Sequence, residues 1–253
     1  GNSSRGSLSL GYQVADDHGG RWSIAGYGVN YGMRLFSNFT LYARDTVNGD
    51  QIEQTDDRFF WGVNGTYARH FHLGEVEALV TAGVQTRSDN IETSLWHSAE
   101  RRRLDTCFDN AGACNHTDNR VRNSAAYVEA DIAVGGRLHL LPGLRLDHFT
   151  WDVRDLDAET ATDPATTTAG YASAAMLGPK LSALFHASRE LSVFANFGSG
   201  FHSNDARAAV ASGGGDALAR ALGGELGLRA HPTRGFRAAI DVWYLHLASE
   251  QVW

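Results

Sequence analysis

Segments of about ten residues in which apolar and polar side chains alternate run through this chain almost from end to end. Between Glu75 and Arg87, Val76, Ala78, Val80, Ala82 and Val84 fall on one face. Glu75, Glu77, Thr81, Gln85 and Arg87 fall on the other. Ala126, Val128, Ala130 and Ile132 likewise oppose Asn123, Glu129 and Asp131. Phe236, Ala238, Ile240 and Val242 oppose Arg237 and Asp241, and Leu181, Ala183 and Phe185 oppose Lys180 and Ser182. Period two places successive side chains on opposite sides of a strand. No helical period competes with it. No apolar run approaches the roughly 18 residues that mark a membrane helix.

The pattern predicts about eleven strands. They run near Gly6–Ala15, Trp22–Met33, Asn38–Asp45, Phe59–Ala68, Glu75–Arg87, Val121–Ala133, Leu144–Trp151, Lys180–Ala187, Leu191–Ser199, Glu225–Ala230 and Phe236–Leu245. Short connections are expected at Arg34–Ser37, Arg69–Gly74, Gly135–Gly143, Ser188–Glu190 and Pro232–Gly235. Long ones are expected at Thr46–Arg58, Ser88–Arg120, Arg154–Gly170 and Gly200–Gly223. Short turns at one end and long loops at the other are the habit of a membrane barrel. Asp16–Gly20 breaks the rule, because it is short where parity asks for a long loop.

A soluble sandwich also alternates, with its apolar face inside. Here that face is thin, rich in Ala and Gly beside Val and Leu, which suits lipid better than a close-packed core. Some eleven strands with a charged inner face need a wide lumen. Aromatic residues near strand ends (Trp22, Tyr31, Phe39, Phe59, Trp61, Tyr67, Trp151, Trp243) read as an interfacial girdle. Net charge is −7, with no basic cluster beyond Arg101-Arg102-Arg103, so no nucleic-acid partner is expected. The opening residues, Gly1-Asn2-Ser3-Ser4-Arg5, hold no signal peptide. The chain reads as a mature protein or an internal stretch of one. Cys107 and Cys114 are close enough for a disulfide, the alternative being two reduced thiols.

One stretch is more specific. Asn196-Phe197-Gly198-Ser199-Gly200-Phe201-His202-Ser203-Asn204-Asp205-Ala206-Arg207 closes an alternating strand and opens a Gly/Ala-rich loop. A further strand follows at Gly224-Glu225-Leu226-Gly227-Leu228-Arg229. This order resembles the barrel of TonB-dependent outer-membrane receptors, in the subgroup that carries Gly-Phe-His-Ser-Asn-Asp-Ala-Arg. Arg34 to Thr40 resembles a periplasmic turn of that family, and Asn48 to Arg58 the subgroup's first long loop. Gly83 to Asp89 and Gly143 to Asp147 resemble strand ends.

The resemblance implies an all-β, antiparallel transmembrane β-barrel, seen in part. Residues 1–253 would be a single domain supplying about eleven strands of a barrel of about 22, without its plug domain or its C-terminal strands. Ser249-Glu250-Gln251-Val252-Trp253 reads as the start of another loop. The resemblance further implies TonB-energised uptake of a scarce ligand, led by iron–siderophore chelates. The partners would be the TonB complex through the plug, outer-membrane lipid and lipopolysaccharide, and an extracellular small molecule. No cofactor and no catalysis are expected. The other readings are a passive outer-membrane porin and a soluble surface β-adhesin.

Two groups of residues are candidates for ligand contact. The first is His202, Asn204, Asp205 and Arg207, with His202 expected to face the lumen because it shares the parity of Ser192 and Asn196. The competing reading is an Asp205–Arg207 network that anchors the loop. The second is Trp96, His97, Arg101, Arg102, Arg103, Phe108 and His116 in the long Ser88–Arg120 connection. Arginine with aromatics suits an anionic aromatic chelate, and also lipopolysaccharide phosphates or plain solvent. His70 and His72 read as solvated turn histidines. Asp50, Glu53, Asp56 and Asp57 fit no standard calcium loop. No nucleophile elbow, phosphate loop or metal-ligand pair stands out.

Overall fold

Each long strand turns back on its predecessor and pairs with it antiparallel. In the computed structural model, which describes residues 1–108, 110–157, 169–215 and 217–248, the order begins β1 (Asn2–Ala15), β2 (Gly20–Ser37), β3 (Ile52–Leu73) and β4 (Val76–Ala99). Three two-residue pieces follow: β5 (Arg102–Arg103), β6 (Thr106–Cys107) and β7 (Asn110–Ala111). Then come β8 (Asn115–Val134), β9 (Leu138–Asp155), β10 (Gly170–His186), β11 (Leu191–Ser203), the helix α1 (Ala206–Ala211), β12 (Leu218–Thr233) and β13 (Phe236–Leu247). The sheet has eleven strands: the ten long ones in chain order, with β5 attached to β4. β1 and β13 are its edges and do not pair with each other, so the sheet is open. β6 and β7 form a separate small hairpin.

Several expectations are corrected by this topology. Asn38–Asp45 is not a strand. Asn38 Oδ1 accepts the Leu41 N–H at 2.7 Å, and Asp45 Oδ1 accepts those of Val47 and Asn48 at 2.8 Å, which curls the segment into turns. Arg34–Ser37 is therefore the end of β2 at the long-loop side, not a periplasmic turn. Once that strand is gone, Asp16–Gly20 joins the short turns, and the parity exception disappears. Finally, the strands outrun their expected ends. β4 spans 24 residues and β3 spans 22, against the roughly 9–11 that cross a bilayer. The expected Ser88–Arg120 loop shrinks to residues 100–114, Gly200–Gly223 to residues 204–217, and His70 and His72 lie within β3. Most of the Ala/Thr-rich stretch after Asp157, and the expected loop start at Ser249–Trp253, lie outside the described residues.

The two faces of the sheet are chemically opposite. Leu10 and Val242 are each 75% exposed, and Leu8, Ile24, Val63, Val84, Leu146, Leu177 and Leu226 also stand in the open on the outer face. A water-soluble fold would have to cover such a surface; a bilayer solvates it. The Trp22 and Tyr67 rings meet at a tilt, 4.5 Å apart, toward the short-turn side, with Phe59 and Trp61 exposed higher on β3. The girdle is thus partly as expected. Tyr31 instead lies on the inner face under Arg58, Phe39 sits in a loop, and Trp151 is fully buried.

The inner face is polar, and its aromatic rings lie over glycines. Tyr27 pairs with Gly62 and Tyr127 with Gly83, and in both cases a Cβ on the glycine would collide with the tyrosine ring. Only glycine leaves the ring room to lie flat across the neighbouring strand.

Candidate functional site: the lumen wall and its mouth

Arginine and aspartate two residues apart share a strand face, and the chain uses this spacing three times on the inner wall. Arg87 donates to Asp89 from Nη2 at 2.7 Å and from Nε at 2.8 Å. Arg145 does the same to Asp147, and Arg58 to Asp56. Each guanidinium also lies near an aromatic ring of the preceding strand in the sheet: Arg87 4.5 Å from Phe60, Arg145 5.8 Å from Tyr127, and Arg58 5.8 Å from Tyr31. Arg145 extends the set to Gln85 at 3.1 Å, and Asn123 donates to Asp147 at 3.1 Å. Bidentate pairs of this kind hold their donors in fixed directions. Below them Lys180 pairs with Glu129 at 2.7 Å, beside a cavity of about 530 Å³.

Above this belt, the loop after β11 folds back over the mouth. Asn204 N–H bonds to the Ala217 carbonyl at 2.9 Å and closes the neck of the loop. Asp205 caps α1 by accepting the Arg207 N–H at 2.9 Å. The Arg207 guanidinium returns to Asp205 and reaches Asn115, at the start of β8, at 3.0 Å. Ala209, Ala217 and Leu218 then press on Trp151 and Ala172. Trp151, buried completely, thus forms the floor under the helix. A cleft of about 470 Å³ opens beside it, walled by Arg58, Thr93, Asn119, Asn204 and Arg207. Asn204, Asp205 and Arg207 therefore meet at the mouth as an anchoring network that also borders a cleft. His202 does not join them. Phe201 turns inward, its ring edge-on to Phe149 at 5.6 Å, which leaves His202 exposed, contrary to its expected lumenal orientation.

The second group of sequence candidates is divided among three places. His97 is 1% exposed; its Nε2 meets the Gly49 carbonyl at 2.7 Å, and its ring stacks on Phe108 at 4.4 Å. The Arg44 guanidinium lies 3.8 Å from the same phenyl ring. Cys107 and Cys114, joined as a disulfide, fix the small hairpin that carries Phe108. Trp96 and His116 lie elsewhere: Trp96 projects from the opposite side of β4 to its neighbour His97, under Arg103 at 4.5 Å, and His116 bonds to Glu92 at 3.0 Å. Arg101 and Arg102 are exposed at the loop tip.

The acidic residues near these loops are occupied. Glu53, fully buried, receives Arg34 at 2.6 Å and Arg103 at 3.3 Å. Asp50 accepts the Thr40 hydroxyl at 2.6 Å and the Asp45 N–H at 2.7 Å. Burial pushes Asp50 up, but these bonds outweigh it and hold the carboxyl below the usual range. Asp45 is also lowered, chiefly by the Asn48 backbone N–H. Among the described residues no group of three or more His, Cys, Asp or Glu is placed to hold a metal ion.

Sequence reasoning did not place Arg58, Arg145 or Asn119 at the site, and it read Trp151 as a girdle residue. The signal for the arginines was present, as Asp56-x-Arg58, Arg87-x-Asp89 and Arg145-x-Asp147. Trp151 carried none, because its partners come from a loop 55 to 67 residues further along the chain.

An antiparallel sheet with a lipid-compatible outer face, a charged inner face and loops gathered at one end defines an outer-membrane barrel. The chain belongs to the TonB-dependent receptor family: across residues 1–253 it matches the family described as TonB dependent receptor-like, beta-barrel. The family and the fold are those of outer-membrane transport receptors. No curated protein sequence matches the chain. Among solved structures, the unliganded ferric citrate transporter FecA superposes with a TM-score of 0.78 at 18% identity, covering 97% of this chain and 34% of that one. BauA, the ferric preacinetobactin receptor from Acinetobacter baumannii, gives 0.70 at 13% identity, covering 96% and 37%. The copper transporter OprC gives 0.66 at 16% identity, covering 94% and 37%. The chain thus spans roughly a third of the length of each. At these identities the likeness establishes the fold.

Proposed function

We propose that this chain supplies part of the ligand-facing wall and mouth of a TonB-energised receptor that imports a small chelate of a scarce metal, with ferric chelates of the siderophore type leading. Residues 1–253 act in this reading as one stretch of barrel, working with a plug domain and further strands outside it. The chain's own contribution is binding and passage rather than catalysis. The observation that carries the reading is the cleft beneath α1. It is lined by Arg58, Asn119, Asn204 and Arg207 beside the Trp151 ring, at the end of the lumen where the long loops gather, and Asp56, Thr117 and Asp205 hold the Arg58, Asn119 and Arg207 side chains in place. A hydroxamate, citrate or catecholate chelate offers many acceptor oxygens on a compact body, which directed N–H donors recognise well. The three structural neighbours named above are a ferric citrate transporter, a ferric preacinetobactin receptor and a copper transporter, which supports a metal-bearing cargo.

The test is uptake of radiolabelled iron presented as a panel of ferric chelates to cells bearing the full-length receptor, with and without a functional TonB. Arg58→Gln and Asn119→Ala are expected to lower uptake of the accepted chelate tenfold or more while the receptor stays in the outer membrane. Uptake that persists undiminished without TonB would instead make the protein a passive channel.

A further inference from the structure

The three arginine–aspartate pairs of the inner wall are not symmetric toward the lumen. Side-chain exposure is 43% for Arg87 against 10% for Asp89, and 37% for Arg145 against 3% for Asp147. Arg58 and Asp56 show the same bias. The carboxylates are tucked against the wall and the cations cover them. Each aspartate is taken by Nε and Nη2 of its arginine. Nη1, with its two N–H donors, meets no acceptor among the described residues in any of the three.

The pairs also descend in a regular series. Arg58 on β3 stands opposite Ile91 of β4, and Arg87 lies four residues further down β4. Four residues below Arg87 is Gly83, opposite Tyr127 of β8, which in turn is opposite Arg145 of β9. Each step is thus about 13 Å along the strand and moves at least one strand across the sheet. The top of the series, Arg58, walls the cleft under α1, and its foot, Arg145, lines the cavity lower on the wall. Arg87 falls between the two on the ladder. Below Arg145 the bias ends, because Lys180 and its partner Glu129 are exposed to a similar degree.

We propose that Arg58, Arg87 and Arg145 form a stepped track that selects anionic cargo, a solute rich in carboxylate or other anionic oxygens, and passes it from the mouth toward the middle of the lumen. The inference rests on the reading of this wall as the lining of an import path. A lone arginine would hold a polyanion tightly. A guanidinium partly neutralised by its aspartate still offers two directed donors to the lumen, but with a weaker field. Passage needs such sites, strong enough to enter and weak enough to leave. Cations spaced along a low-dielectric wall also raise the local concentration of anions. Strand stapling does not account for the pairs, since each aspartate lies on the same strand as its arginine and the bond between them ties no two strands together.

The experiment is ion selectivity of the full-length receptor in planar bilayers across a potassium chloride gradient, with urea present to open the lumen. Arg87→Gln with Asp89→Asn and Arg145→Gln with Asp147→Asn are combined, which neutralises two pairs and leaves the net charge unchanged. The ratio of chloride to potassium permeability is expected to fall about threefold or more. Arg87→Lys with Arg145→Lys should keep most of the wild-type ratio, which separates charge from altered packing. An unchanged ratio in the neutral-pair variant overturns the proposal, because the pairs would then be electrically silent toward the lumen. So does an equal fall in the Lys variant. Uptake of ferric chelates by cells separates this inference from the proposed cargo. A shift in selectivity without import of any ferric chelate leaves the track standing and removes the cargo. Import of an anionic ferric chelate at equal rates by the wild type and the neutral-pair variant leaves the cargo standing and removes the track.

Discussion

The two loop assemblies at the mouth are held by different forces. Loops 38–51 and 100–114 are joined by buried charge, directed hydrogen bonds and a covalent bond: Glu53 between Arg34 and Arg103, Asp50 under backbone N–H groups, and His97 stacked on Phe108 beside the Cys107–Cys114 disulfide. The loop of residues 204–217 instead rests small apolar side chains on Trp151, with one capping aspartate. Geometry fixed by polar groups is lost when a proton or a partner changes, whereas geometry fixed by packing is lost when volume changes. The first assembly should therefore respond to acid and reductant, and the second to cavities.

The largest effect is expected from Trp151→Ala. A fully buried tryptophan leaves a cavity that costs about 3–5 kcal/mol, so α1 should detach and protease should cut at residues 204–217 of the folded receptor while loops 38–51 and 100–114 stay protected. Glu53→Gln comes next. It leaves two guanidiniums facing a neutral amide, and because both are about half exposed the cost is about 2 kcal/mol rather than the full figure for a broken buried pair. The expected sign is a lower urea midpoint with faster cleavage between Arg101 and Cys114. Replacing Cys107 and Cys114 by serine should loosen the Phe108 hairpin by about 2 kcal/mol, seen as faster amide exchange at His97 and in loop 38–51, with exchange in α1 unchanged. Asp205→Ala removes the cap of α1 and should cost about 1 kcal/mol, visible as faster exchange in α1 alone.

The smallest effect is that of pH. Asp45 and Asp50 titrate below the usual carboxylate range in the folded protein, so their contribution is complete above the unfolded value of about 3.9 and is lost as pH falls through the folded values. Proteolysis of loop 38–51 should rise below about pH 4, while the α1 loop stays protected. Equal acid sensitivity in both would erase the distinction.

What could be read from the sequence follows the same division. In the membrane-spanning parts of the strands one face meets lipid and the other a polar lumen, so period two was visible and the antiparallel order of the sheet followed from it. Beyond the bilayer both faces are polar. The upper halves of β4 and β8 therefore looked like one loop, which hid His97 in a strand. Asn38–Asp45 imitated a strand through Phe39 and Leu41, although Asn38, Asp45 and Asn48-Gly49 were the turn-formers that decided its shape. His202 was misplaced because alternation was carried through Gly198 and Gly200, where the strand is free to re-aim its side chains. The mouth itself was only half legible. An Asp205–Arg207 anchor is one of the two readings that the sequence offers, but Asn115 and Trp151 meet that loop only through the fold.

The claim on which the account rests is that both loop assemblies lie outside the cell and the short turns lie in the periplasm. It is tested most directly by labelling intact cells with a membrane-impermeant thiol reagent, using the full-length receptor with Val47→Cys or Glu75→Cys. Val47, 83% exposed in loop 38–51, should label in intact cells. Glu75, in the turn between β3 and β4, should label only after the outer membrane is opened. Labelling of Glu75→Cys in intact cells with protection of Val47→Cys would invert the barrel and contradict the assignment of the mouth.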